Sequence, residues 1–139
     1  MARPKSILLF ERLYLASFLI GIVSTIQNWS VRERMLERNA STMNLDWLAP
    51  GATVLGVVIA LALWYVVARL GHVVGKWIVM ALAAWGGVLI LMLCYGLATG
   101  RGALASLLVG IAQNVLYLAA AAMLLRPDAR RWFGEESVA

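Results

Sequence analysis

Apolar positions fall in four long runs along this chain, and most polar and charged positions fall between them. The runs predict helices at approximately 10–29, 50–68, 77–97 and 103–125, with one sizeable connection at 30–49. The first run is unbroken from Leu13 to Trp29 and extends back to Ile7 if Glu11 and Arg12 are admitted. A helix rises about 1.5 Å per residue, so about 20 mostly apolar residues cross a hydrocarbon core about 30 Å thick. Such runs are too long and too continuous for barrel strands, and lipid tolerates no unpaired backbone. The predicted fold is an all-α membrane protein, a single domain over 1–139 forming a bundle of four transmembrane helices.

The run ends carry interface signals. Trp29, Trp47, Trp64, Tyr65, Trp77, Tyr95 and Trp132 fall mostly near predicted boundaries, as an aromatic belt does. Pro50 suits the first turn of a helix, where its missing N–H costs nothing. Pro127 follows the last run and stops it or bends it away, which turns Trp132 and Phe133 back toward the headgroups.

Composition agrees with a bilayer environment. Hydrophobic residues make up 63% of the 139 and charged residues 14%. A soluble chain runs nearer to about half and about a quarter, and a small soluble domain exposes too much surface to hide this excess. The formal net charge of +5 sits in short clusters at run ends, with no basic stripe interleaved with aromatics. That layout excludes nucleic acid as the expected partner and points to topology and anionic lipid headgroups.

The basic residues also assign the sides. Arg3, Lys5, Arg12, Arg69, Lys76, Arg126, Arg130 and Arg131 share one side; Arg32, Arg34, Arg38 and Arg101 share the other. The richer side is cytoplasmic by the positive-inside rule, so both termini are expected in the cytoplasm. The first run reads as an uncleaved anchor, because Glu11 and Arg12 interrupt it and no clean cleavage site follows. In the outer connection, Ser30 and Glu33 match a capping box, predicting a short helix to about Arg38. Asp46 is placed to cap the second span.

Candidate chemistry is sparse. Polar groups at membrane depth are costly and therefore suspect. Gln113 and Asn114 lie near the middle of the fourth run and are read as helix-pairing groups or as the lining of a path. Glu11 is the carboxylate nearest a span, read either as a proton-coupling acid or as a partner for Arg69, Lys76 or Arg126. His72 is the sole histidine and Cys94 the sole cysteine, so neither builds a metal site; Cys94 reads as a small buried hydrophobe. No nucleophile–base–acid set, phosphate loop or paired carboxylates occur, so no catalytic residues, no metal and no cofactor are assigned, and the chain is not read as an enzyme. Three rows of small residues, Ala52/Gly56/Ala60, Gly96/Gly100 and Gly102/Ser106/Gly110, permit close helix approach within the chain or between copies.

Two end motifs carry a resemblance. Arg3-Pro4-Lys5 followed by Phe10-Glu11-Arg12-Leu13-Tyr14, and Leu125-Arg126-Pro127-Asp128-Ala129-Arg130-Arg131-Trp132-Phe133, resemble small four-helix inner-membrane proteins of proteobacteria that have no assigned function. The resemblance implies a bacterial inner-membrane location and brings no activity or site. The expected role is a non-enzymatic tetraspan that assembles with itself or with a larger membrane complex. The alternative is a small oligomeric transporter or channel whose path is lined by Glu11 or by Gln113 and Asn114.

Overall fold

A computed structural model of the chain describes residues 3–31, 33–34 and 47–135. The described residues are helical and contain no strand. Helix α1 spans Lys5–Gln27, α2 Leu48–Tyr65, α3 Val73–Ala98, α4 Leu104–Met123 and α5 Pro127–Trp132. Val66–Leu70 continue α2 as a wider π turn, so the second apolar helix runs Pro50–Leu70. Four helices are thus long and apolar enough to cross a membrane. They are runs of Leu, Ala, Val and Ile, and a helix satisfies its own backbone hydrogen bonds within such a run. Residues 29–31 and 33–34 are also helical; the rest of the connection, Asp46 included, lies outside the described residues.

Two helices begin earlier than the charge pattern predicts. Helix α1 starts at Lys5 and carries Glu11 and Arg12 inside it. The Glu11 carboxylate is neutralised by Arg3 at 3.0 Å and Arg69 at 3.4 Å, so this charged turn stays helical. Helix α3 starts at Val73 and carries Lys76, whose charge is met by Glu135.

The end that holds both termini and the turn between α2 and α3 is the base of the molecule. Helices α1, α4 and α3 lie side by side with α4 in the centre, whereas α2 packs only sparsely on the other spans. The core is concentrated toward the base. Ile7, Phe10 and Tyr14 from α1 meet Val67 and Ala68, Val79 and Ala83 from α3, and Ala120, Ala121 and Leu124 at the end of α4.

Close approaches explain several glycines. Gly71 ends the second span in a left-handed conformation (φ 63°), and its N–H and that of His72 both donate to the Val66 carbonyl. A Cβ there would also lie 2.7 Å from the Trp132 carbonyl oxygen, so glycine alone suits both backbone and neighbour. Of the three small-residue rows, two serve packing of α3 on α4: Gly110 faces Leu93 and Gly96 faces Leu107. The third does not, since a Cβ on Gly56 would meet nothing within 4 Å.

The C-terminal segment folds back, as the Pro127 break predicts, and it docks on the protein itself. Helix α5 folds back across the base, burying Ala129 and Phe133 against the protein. Trp132 Nε1 donates to the Val67 carbonyl at 3.1 Å. Burial of Phe133 and pairing of the indole N–H are available against the base, which is why the segment docks there. Cys94 departs from expectation: it is exposed on the outside of α3 rather than buried.

Candidate functional site

The polar side chains at mid-depth converge from three helices. On α1, Phe10, Tyr14, Ser17 and Gly21 recur at helical spacing and form one stripe toward α4 and α2. Tyr14 Oη donates to the Ala60 carbonyl at 2.9 Å, a link between α1 and α2. Ser17 Oγ donates to the Gln113 carbonyl at 2.9 Å, a link between α1 and α4. The rings of Tyr14 and Tyr117 stand 5.5 Å apart, tilted by 47°. The Tyr117 hydroxyl is buried with no hydrogen-bond partner among the described residues.

The two sequence candidates on α4 point to different neighbours. Asn114 Nδ2 donates back to the Gly110 carbonyl at 2.8 Å. Its Oδ1 occupies the space left by Gly86, where a Cβ would come within 3.0 Å. The Gln113 amide lies in the corresponding space beside Gly21, where a Cβ would come within 2.6 Å of its Nε2. Glycines on α3 and α1 therefore make room for the amides at positions 114 and 113. No hydrogen bond among the described residues engages the Gln113 side chain.

Gln113 lines two cavities that separate α2 from the other spans. One, of about 340 Å³, lies between α1 and α2 and is lined by Phe18, Gly21, Thr25, Ala52 and Gly56, among others. The second, of about 260 Å³, lies between α2, α3 and α4, beside Tyr14, Tyr117, Trp85 and Asn114. Gly56 and Ala60 border both, so the cavities are the two sides of one cleft under the second span.

Glu11 lies away from this cleft, at the base. It joins an ionic cluster with Arg3 and Arg69, and the Arg69 guanidinium also stacks over Trp64 at 5.5 Å. Pairing with Arg69 was among the sequence alternatives; pairing with Arg3 was not. The base holds two further polar links with no local sequence signal. Lys76, 3% exposed, pairs with Glu135 and lies over Phe133 (5.4 Å) and Trp77 (5.8 Å). Asp128 Oδ2 accepts from the Ser6 N–H at 3.1 Å, supplying to the first turn of α1 the cap that Pro4 lacks. Desolvation pushes the Asp128 pKa up, but the Ser6 N–H, its own N–H and the Arg126 charge outweigh it and hold the carboxyl below its ordinary value. These partners lie 59 to 122 residues apart, so only the fold brings them together.

His72 is exposed in the turn between α2 and α3, and no group of residues able to hold a metal occurs among the described residues. No family model matches the chain, and no curated protein or solved structure matches it either. The class defined by the fold is a helical chain with four candidate membrane spans, and its function has to be read from its own geometry.

Proposed function

We propose that this chain is a non-enzymatic integral membrane protein that acts by assembly, with itself or within a larger membrane complex. The observation that carries the reading is the position of the second span. It is fixed to the body at the base and by the Tyr14–Ala60 hydrogen bond, and packs only sparsely elsewhere. Its outward side presents Val54, Leu55, Val58 and Tyr65, each more than half exposed. In lipid, helix association rests on packing and interhelical hydrogen bonds rather than on the hydrophobic effect. A span left underpacked by its own chain gains those contacts from a neighbour.

The orientation proposed is both termini in the cytoplasm, in a bacterial inner membrane. It rests on the eight-to-four distribution of Lys and Arg and on the resemblance of the end motifs. Around the base, Lys5, Arg12, Arg126 and Arg130 are exposed. The acids there are engaged internally: Glu11 with two arginines, Asp128 with Ser6 and Glu135 with Lys76. That leaves a positive rim suited to anionic headgroups.

A second reading, a small oligomeric transporter or channel, is favoured by one observation: Gln113 borders both mid-depth cavities. Glu11 does not border either cavity and is paired with Arg3 and Arg69 at the base instead. Crosslinking in native membranes from cysteines placed at Val54 and Val58, with Cys94 replaced, tests the first reading. A defined adduct supports it, and the absence of any adduct counts against it. Solute flux in proteoliposomes that depends on Gln113 would favour the second.

A further inference from the structure

We propose that the cleft under the second span binds a membrane-dissolved amphiphile bearing a carbonyl-containing ring on an aliphatic or prenyl tail, the chemistry of a lipid-soluble quinone. This is independent of assembly, which uses the outward side of α2. Gln113 stands midway along α4, about 15 Å from either end. Phospholipid carbonyls and headgroups stay near the interfaces, so ordinary lipid brings only hydrocarbon to that depth. An amide with no partner in hydrocarbon is costly. Gln113 has two N–H donors and a carbonyl acceptor, and none is engaged among the described residues. A ring carbonyl delivered by a lipid-soluble tail satisfies a donor there.

The shape agrees. The cavities of about 340 and 260 Å³ match the lower end of small-ligand pockets, about 300 Å³. The cleft is large enough for a ring with a few tail carbons. Tyr14, Tyr117 and Trp85 supply aromatic faces beside Gln113 and Asn114. Gly56 leaves the α2 wall open where a side chain would close it.

The test uses the full chain in phospholipid nanodiscs, titrated with decylubiquinone. Tryptophan quenching and thermal midpoint are the readouts, and decylbenzene is the control without carbonyls. Saturable quenching with a raised midpoint is expected for decylubiquinone, with binding at least tenfold weaker for decylbenzene. Gln113→Leu weakens decylubiquinone about tenfold. Gly56→Leu abolishes binding while leaving helix content unchanged, because nothing lies within 4 Å of the new Cβ position. Equal binding of the two compounds, unchanged affinity in Gln113→Leu, or no saturation overturns the proposal. So does a change in oligomer mass in Gly56→Leu without ligand binding by the parent, which would mean a protein neighbour fills the cleft.

Discussion

Replacing Glu135 with Gln is the sharpest probe of how the base is held. Lys76 is 3% exposed, and its ammonium reaches no acid other than Glu135 among the described residues. Glu135 is itself about a quarter exposed (25%). Breaking a fully buried pair from one side costs about 3–5 kcal/mol, because the remaining charge stays desolvated. An exposed pair is worth about 0–1 kcal/mol. With one partner buried and the other partly solvated, Glu135→Gln is expected to cost about 2 kcal/mol. Lys76→Met removes the buried charge and keeps an apolar chain of similar length between Phe133 and Trp77, so it should cost less, about 1 kcal/mol. The double variant should resemble Lys76→Met alone. Reversible unfolding in mixed micelles, titrated with a denaturing detergent, measures all three. If Glu135→Gln is neutral while Lys76→Met costs 2 kcal/mol or more, the pair does not hold the base and the aromatic contacts do.

Further outcomes follow from contacts elsewhere. Gly86→Ala should destabilise by about 1–3 kcal/mol, because its Cβ meets Asn114 Oδ1 at 3.0 Å and that side chain is held by its own hydrogen bond; Gly87→Ala, facing open space, should be neutral or stabilising by up to about 1 kcal/mol in the same titration. Tyr14→Phe removes the hydrogen bond to Ala60 and should cost about 1 kcal/mol, with faster amide exchange along α2 but not along α4. Because the folded pKa of Asp128 is lowered, its cap on α1 is fully present above the ordinary carboxylate value of about 3.9 and is lost as pH falls through the lower folded value. Amide protection in α5 and in the first turn of α1, taken relative to the intrinsic exchange rate at each pH, should therefore fall on acidification, and Asp128→Asn should already show reduced protection at neutral pH and lose the dependence.

The spans were legible because their signal is local. About 20 apolar residues at a stretch require no knowledge of the rest of the fold. The boundaries were less so, since charge normally marks the end of a span and here the fold neutralises it. Glu11 stays inside α1 because Arg69 arrives from the end of α2, and Lys76 stays inside α3 because Glu135 returns from beyond α5. Neither partner can be assigned from spacing along the chain. Gln113 and Asn114 stood out as amides within an apolar run. Their separate environments depended on Gly21 and Gly86, each on a different helix. The stripe Phe10, Tyr14, Ser17, Gly21 was visible as helical spacing on one face, and it is the signal from which the α1 wall of the cleft could have been found.

Mass measurement of the chain released in native-membrane discs, without detergent, tests assembly most directly. A defined multiple of the chain mass, or a complex with a reproducible membrane-protein partner, is the expected result. A single copy surrounded only by lipid, under conditions that keep the helices folded, would contradict it.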